Sequence, residues 1–309
     1  MTALNTLPLN QHLQYLRPDM RGVLAGAEGT FWVRYERWAM LRLPVFALNA
    51  PSAAEVRRVL RGTCIANYLQ TPDEAHPANT VVYLCHNKHY SLEALPSAMR
   101  RNVRRGLAQL TIAPLSAQEV MQQGYAAYAD TRQRVGLDDY DRQSFEQRFT
   151  QRAQSPANTY LGAWHQEKLI AFLSITEVED WVEFESLFSC TADLVHRPND
   201  TLLYSALRHY LVESPRRVVS YGIRSVQSQS EAGLHQFKLK VGFEALPVHR
   251  AFCVHPLLRP FINPFTHRLL VSMAHRMTTN RVIRKAEGFV SLLLGKHTPH
   301  QEETGIPND

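Results

Sequence analysis

Two glutamates, Glu183 and Glu185, stand two positions apart in "WVEFESLF", a stretch with the residue pattern of a β-strand. A strand places residues i and i+2 on the same face, so we expect the two carboxylates to lie side by side. Neighbouring carboxylates repel each other, and the pKa of one would rise toward the range in which it accepts a proton from an amine. The alternative is an ordinary row of solvent-facing charges on a half-buried strand.

A lysine near the end of a predicted helix is the second candidate. The segment "GLHQFKLKVGFEALPV" places Phe237 and Lys238 about one turn before Gly242. A cation at the C-terminal end of a helix is favoured by the helix dipole, so a plain surface lysine is the ordinary explanation.

A set of four arginines is the third candidate. Their spacing of i, i+1, i+4 and i+5 places them on one face of a helix. Such a face can bind the phosphates of a nucleic acid or an anionic surface, or it can be only a solvated basic face. The four residues are Arg100, Arg101, Arg104 and Arg105.

The composition limits the class of protein. The chain has 309 residues, of which 45% are hydrophobic and 20% charged, as in ordinary globular proteins. It has no internal run of about 20 apolar residues, and its N-terminal residues lack the pattern of a secretory signal. The four scattered cysteines are expected to be free thiols in the cytoplasm. No metal site is expected at His86 and His89. The net charge of +6 favours phosphate-rich partners.

Periodicity predicts the elements that must position these residues. Ser52 and Ser116 are each followed three residues later by glutamate, which predicts two helix N-caps. Strands are expected at 30–35, 43–49, 80–86, in a meander over 159–190, and at 217–223 and 242–255. Helices are expected at 52–62, 92–110, 117–136, 142–153, 199–214 and 230–242. From residue 116 the predicted order is α-α-β-β-β-α-β-α-β.

That order, closing on Gly242-Phe243, resembles the GNAT acyltransferase fold, an α/β fold with a mixed central sheet flanked by helices. Lys238 stands where many members carry a tyrosine, and the Phe-Lys pair looks like the Fem-type peptidoglycan aminoacyltransferases. The arginine-rich helix is similar to one in that group. Thr131, Arg134 and Gly136 resemble its Thr-x-x-Arg, glycine signature. The resemblance covers roughly residues 80–255.

The resemblance implies roles for particular residues. Lys238 would stabilise the oxyanion or contact a donor phosphate, and Glu185 or Glu183 would be the base. Glu185 is slightly preferred, as the nearer of the two to the expected parting of the central strands. The loop that binds donor phosphates lacks the glycines of CoA-using members, and Asp200 in it would repel phosphate. The donor-binding residues implied are Arg197, Asn199, Asp200, Thr201, Leu202 and Phe237.

The resemblance further implies a bacterial N-acyltransferase that forms an amide. The donor would be an acyl-CoA or an aminoacyl-tRNA, and the acceptor a small-molecule or peptide amine. The alternatives are an ordinary acetyl-CoA-dependent N-acetyltransferase and a catalytically idle module that binds RNA or an anionic membrane surface.

Four segments are expected along the chain. They are a lead-in over 1–30, a reduced first GNAT-like half over 31–115, the acyltransferase domain over 116–256, and a basic amphipathic helix with a polar tail over 257–309. That last helix would either pack on the domain or contact a membrane surface peripherally.

Overall fold

The computed structural model describes residues 7–17, 20–36, 38–137, 140–214, 216–224, 231–276 and 290. The strands are β1 (Val23–Ala25), β2 (Phe31–Glu36), β3 (Ala39–Leu43), β4 (Ile65–Gln70), β5 (Thr80–Cys85), β6 (Thr111–Leu115), β7 (Asn158–His165), β8 (Lys168–Val178), β9 (Trp181–Ser189), β10 (Val218–Ile223) and β11 (Glu244–Val254). The helices are α1 (Leu9–Leu16), α2 (Ala53–Leu60), α3 (Ser97–Gln109), α4 (Ala117–Gln123), α5 (Tyr125–Arg134), α6 (Arg142–Arg152), α7 (Pro198–Arg208), α8 (Glu231–Val241) and α9 (Pro264–Arg276).

The chain divides into two compact units that alternate along the sequence. Unit 1 comprises Met1–Arg21, Val82–Gly222 and Ala232–Leu246, and unit 2 comprises Gly22–Val81, Ile223–Glu231 and Pro247–Asp309. The division into a first half over 31–115 and a domain over 116–256 stays a prediction.

Unit 2 contains the strand order β1-β2-β3-β4-β11. Its core lies between this sheet and α2, where Trp32 and Met40 pack against Val59 and Leu60. The predicted cap of α2 is confirmed, because the Ser52 side chain accepts a hydrogen bond from the Glu55 N–H.

Unit 1 contains a mixed sheet in the order β6-β7-β8-β9-β10-β5. The strands from β6 to β9 pair antiparallel, whereas β10 pairs with β9 in parallel. Helices α5 and α6 cover one face through a cluster that includes Tyr128, Phe149 and Phe172. Leu202 of α7 packs on Ala171, the neighbour of Phe172 in β8, and adjacent strand residues point to opposite faces. Helices therefore flank both faces of this sheet.

Two irregularities of β9 shape the centre of unit 1. The parallel pairing of β9 with β10 covers three positions and ends where Glu183 lies opposite Ser220. On the other side of β9, Ser174 pairs with Ser186 but Ile175 pairs with Phe184, so Glu185 is the extra residue of a β-bulge. A bulge bends its strand and redirects side chains. The bend at Glu185 therefore follows two residues after Glu183, the last residue of β9 that pairs with β10, and the two strands separate there.

The order of elements from residue 116 is confirmed, with one helix divided in two. The helix predicted over 117–136 is broken at Gly124 into α4 and α5. A Cβ at Gly124 would lie 2.7 Å from the Val120 carbonyl oxygen and 3.1 Å from the Phe172 ring, so the backbone here approaches the sheet closely. The capping box predicted at Ser116 is present.

Two other predictions are wrong, and four strands were missed. The strand predicted over 43–49 is wrong: β3 ends at Leu43, because Pro44 lacks an N–H and its carbonyl accepts the Ala47 N–H in a turn. Helix α3 begins at Ser97 rather than at residue 92. Helix α1 and the strands β1, β3, β4 and β6 had no counterpart in the prediction. No helix in the described part of the chain is both long and apolar enough to cross a bilayer.

Candidate active site

Glu183 lies at the point where β9 and β10 separate. It is the last residue of β9 that pairs with β10. Its side chain is half-buried, and within the described chain no hydrogen bond to its carboxylate is found. Burial raises the pKa of Glu183 to about 8, with a further rise from the Glu185 charge and a partial reduction from Lys238. At neutral pH a group with this pKa can both accept and return a proton.

Glu185 is held quite differently. Arg152 of α6 forms an ion pair with its carboxylate, and the Thr176 hydroxyl donates a second hydrogen bond to it. Burial opposes ionisation of Glu185, but Arg152, Thr176 and the charge of Arg148 outweigh it and hold the pKa below its usual range. A carboxylate that is already paired is a weak base. The geometry therefore favours Glu183 over Glu185, the reverse of the order expected from the sequence.

Lys238 of α8 is buried rather than lying on the surface. The residue is 7% exposed, and its ammonium donates a hydrogen bond of 2.8 Å to the carbonyl oxygen of Tyr221. The ammonium also lies 4.1 Å from the ring centroid of Tyr83 and 4.4 Å from that of Tyr221. Since Tyr221 follows Ser220, the residue opposite Glu183, the ammonium and the Glu183 carboxylate belong to one cluster.

His235 is a member of this cluster that sequence reasoning missed. It precedes Lys238 by three residues on α8, which places both side chains on one helix face. The His235 Nδ1 lies 2.8 Å from the hydroxyl of Tyr83, the same tyrosine whose ring faces the lysine. The i, i+3 spacing was the available signal, but the tyrosine is separated from the helix by some 150 residues.

The Gly-Phe pair after Lys238 has a defined structural role. Gly242 has a φ of +111°, and the N–H of Phe243 bonds back to the Lys238 carbonyl to close α8. A Cβ at Gly242 would lie 2.8 Å from the Tyr90 ring, and the Tyr90 hydroxyl donates 2.6 Å to the Val241 carbonyl. The glycine therefore fixes the end of the helix that carries the lysine.

The predicted donor-binding loop lies at the start of α7. Arg197 adopts a left-handed conformation, and Pro198 occupies the first helical position without an N–H. Asp200 is buried; burial raises its pKa, against a hydrogen bond from Asn102 of α3 and the charge of Arg197. Thr201 and Leu202 are fully buried, and Asn199 is half-buried.

Helix α3 lies directly against this loop. A Cβ at Gly106 would lie 3.1 Å from the Cβ of Thr201 and 3.3 Å from the carbonyl oxygen of Arg197. The loop therefore lacks the open, glycine-lined array of N–H groups that a pyrophosphate requires. Phe237, the remaining predicted donor-binding residue, does not belong to this loop: it is half-buried and lies on α8 next to Lys238.

Three of the four predicted arginines form what we call the α3 arginine face: Arg101, Arg104 and Arg105. All three are exposed. Arg100 is half-buried and donates 3.2 Å to the Glu93 carbonyl oxygen. Among the residues that the structure describes, no carboxylate pairs with the α3 arginine face.

The Thr-x-x-Arg signature holds α5 against the end of β9. The Thr131 hydroxyl donates to the Ser189 carbonyl at 3.0 Å and accepts the Ser189 N–H at 2.8 Å. Arg134 pairs with Asp130 at 2.9 Å and contacts Ser189 and Thr191. These residues therefore position the strand that carries Glu183.

Comparison with known proteins identifies the fold. No protein-family model matches the chain, and no curated protein matches its sequence. The crystal structure of FemX matches with a TM-score of 0.54 and 9% identity, over 81% of this chain and 97% of that chain. The C-terminal domain (DUF2156) of a lysylphosphatidylglycerol synthetase from Agrobacterium fabrum matches with a TM-score of 0.53 and 15% identity, over 75% and 83%. L-PGS from Bacillus licheniformis matches with a TM-score of 0.50 and 11% identity, over 81% and 88%. The chain therefore shares the fold of these three structures, and the predicted GNAT-type fold is confirmed.

Proposed function

We propose that this protein transfers an acyl or aminoacyl group from an activated donor to an amine, forming an amide. One observation carries the proposal. The carboxylate of Glu183, with its pKa raised to about 8, lies where β9 and β10 part, in the cluster that holds the buried ammonium of Lys238. The fold shared with FemX, with the domain named for lysylphosphatidylglycerol synthetase and with L-PGS supports this class of reaction.

The residues account for each step of such a transfer. The amine nitrogen attacks the carbonyl carbon of the donor, and Glu183 accepts the proton that the nitrogen releases. The charge of Lys238 stabilises the carbonyl oxygen as it becomes negative. The bond from the carbonyl carbon to the leaving sulfur or oxygen then breaks, and the leaving atom takes the proton from Glu183.

The start of α7 favours an aminoacyl-tRNA over an acyl-CoA as the donor. The buried carboxylate of Asp200 and the packing of Gly106 oppose a pyrophosphate there. Phosphates of a tRNA would instead contact the α3 arginine face, which is exposed and rich in guanidinium groups.

A catalytically idle RNA-binding module is the second candidate function. The exposed α3 arginine face favours it, since phosphate contacts alone give binding without chemistry. This candidate predicts tRNA binding without any amide product.

The test combines binding with product analysis. The purified chain is incubated with an amine panel and with acetyl-CoA, a long-chain acyl-CoA, or a mixture of aminoacyl-tRNAs, and amides are detected by mass spectrometry. Thermal denaturation is measured with each donor, because a ligand at 100 times its Kd stabilises by about 2.7 kcal/mol. We expect stabilisation and product with aminoacyl-tRNA. Product from acetyl-CoA alone would instead identify an ordinary N-acetyltransferase, and tRNA binding without product would identify the idle module.

A further inference from the structure

The positive charge of Arg148, on α6, has little compensation from negative groups among the described residues. Its Nη2 donates a long hydrogen bond of 3.3 Å to the Ser186 hydroxyl. Its Nε is buried and makes no hydrogen bond. The charged groups that act on it are Glu185, Arg152 and Arg132, together with the phenol of Tyr128.

The single carboxylate of this group is already engaged. Arg152 pairs with Glu185, and its other terminal nitrogen donates to Asn158 at 3.0 Å and to the Ile175 carbonyl at 3.2 Å. Burial lowers the pKa of Arg148, the Glu185 charge raises it, and the charges of Arg152 and Arg132 lower it further. Arg148 therefore lies among two other guanidinium groups and one carboxylate, and a buried charge without its own counter-ion is costly.

We propose that Arg148, Ser186 and Arg132 form a binding subsite for an oxyanion, either a carboxylate or a phosphate, of the acceptor substrate. An arginine presents its N–H groups in a planar fork that matches both anions. Ser186 follows Glu183 by three residues on β9, roughly 10 Å at about 3.3 Å per residue. An amine placed at Glu183 and an anion at Arg148 would therefore belong to one small amino acid or amino phosphate. Naming the ligand as the acceptor rests on the proposed function, whereas anion binding does not.

The test is thermal denaturation with inorganic phosphate and, separately, with acetate, at an ionic strength held constant with chloride. The variants are Arg148→Met and a control, Arg142→Met. Arg142 lies on the same helix but is exposed and paired with Glu146 at 2.7 Å. We expect a saturable rise in Tm for the parent and for Arg142→Met. Arg148→Met should bind the anion more weakly than the parent, by roughly tenfold or more. The anion that binds more tightly distinguishes phosphate from carboxylate.

The same experiment separates a binding role from a structural one. Without anions, Arg148→Met should be at least as stable as the parent, since it removes an uncompensated buried charge. Ser186→Ala removes only the hydroxyl and should weaken anion binding even if Arg148→Met fails to fold. No rise in Tm with either anion, or an equal rise in Arg148→Met and the parent, would overturn the subsite. Because the readout needs no turnover, an Arg148-dependent rise without amide product would contradict the proposed function alone.

An independent feature of unit 2 carries a second inference. Five large apolar side chains, spaced four residues apart, are between 37% and 78% exposed. We call this row the α9 apolar stripe, because its last three members lie on one face of α9. The members are Leu257, Phe261, Phe265, Leu269 and Met273.

The charge around the α9 apolar stripe indicates its partner. Single exposed apolar residues are common, but several of them on one helix face, with two more just before the helix, mark an interaction surface. Residues 255–286 contain six arginine or lysine residues and no aspartate or glutamate. A row of apolar side chains within a wholly basic segment is suited to the boundary between acyl chains and anionic headgroups. The sequence pattern predicts that this helix continues to about residue 294, and of residues 277–294 the structure describes only residue 290.

We propose that the α9 apolar stripe docks this protein on the surface of an anionic lipid bilayer. The test is co-sedimentation with vesicles of phosphatidylcholine, alone or with about 30% phosphatidylglycerol. The variant is Phe265→Ser, and the control is Val135→Ser, an exposed apolar residue of unit 1. We expect binding only to the anionic vesicles, weakened by salt, and at least tenfold weaker in Phe265→Ser but not in Val135→Ser. Equal binding by both variants, or self-association through Phe265 without lipid in analytical ultracentrifugation, would overturn the proposal.

Discussion

Replacing Glu183 by glutamine should make the protein more stable at high pH. Burial and the Glu185 charge raise the pKa of Glu183 from 4.5 to about 8. One pKa unit corresponds to about 1.4 kcal/mol, so full ionisation would cost the folded state about 5 kcal/mol. The carboxylate is half-buried, and solvent screening reduces this figure to about 2–4 kcal/mol.

The sign follows from where the proton is bound. Between pH 4.5 and about 8 the folded chain retains a proton on Glu183 that the unfolded chain has released. The contribution of this residue to stability therefore falls as pH rises through that window, and it is constant above it. Glutamine carries no charge at any pH. The difference in unfolding free energy between Glu183→Gln and the parent should grow from near zero at pH 4.5 to about 2–4 kcal/mol at pH 9.

Urea denaturation at one-unit pH intervals from 5 to 9 measures this difference, in which the other titrating groups cancel. The control is Glu185→Gln, which should have the opposite sign. The pKa of Glu185 is held low by Arg152 and Thr176, so its charge stabilises the fold at neutral pH, and its removal should destabilise. If the Glu183→Gln difference does not change between pH 5 and 9, the raised pKa is refuted.

Three further changes test the surroundings of the site. Lys238→Met should lower kcat for amide formation by roughly 10²–10³, as when one oxyanion donor is removed, and Lys238→Arg should not restore the rate. Equal rates in the parent, Lys238→Met and Lys238→Arg would exclude the electrostatic role of Lys238. Changing the three arginines of the α3 arginine face to glutamine should reduce the salt dependence of tRNA binding in filter-binding assays. The slope of log K against log salt concentration should become shallower by about 0.9 for each phosphate that the arginines no longer neutralise. An unchanged slope would mean that the α3 arginine face is only a solvated face. Gly242→Ala should lower the free energy of unfolding by about 1–3 kcal/mol in urea denaturation, because Gly242 has a positive φ and the Tyr90 ring lies close to it. Gly233→Ala is the control, since nothing lies within 4 Å of a Cβ there, and it should not destabilise the protein. Equal stabilities of the two variants would contradict the role of Gly242.

The sequence allowed those parts of the fold to be predicted that depend on local pattern. The caps at Ser52 and Ser116 follow from a spacing of three residues, and both are present. The alternation over 159–190 predicted three consecutive strands, which are β7, β8 and β9. Strand β6 was not predicted because it is short and contains Pro114, which gives it the residue pattern of a loop. Its pairing with β7 makes it a strand, and that contact is not visible in the local pattern.

The arrangement of the site depends on contacts distant in sequence. Glu183 and Glu185 look equivalent in the strand. Their pKa values differ because Glu185 pairs with Arg152, 33 residues away, and accepts a hydrogen bond from Thr176, whereas Glu183 is half-buried without such a pair among the described residues. The burial of Lys238 likewise depends on Tyr83, which reaches the same helix through His235. A residue pattern identifies which side chains can do chemistry, but it contains no information on which partners tertiary packing supplies.

The pH dependence of amide formation tests the central claim most directly. With the donor and amine that give product, kcat/KM should rise with pH as Glu183 releases its proton, with an apparent pKa of about 8. In Glu183→Gln the rate should fall by roughly 10²–10⁴ and the titration near pH 8 should disappear. A Glu183→Gln enzyme that retains the parent rate and the same pH profile would contradict the assignment of Glu183 as the base.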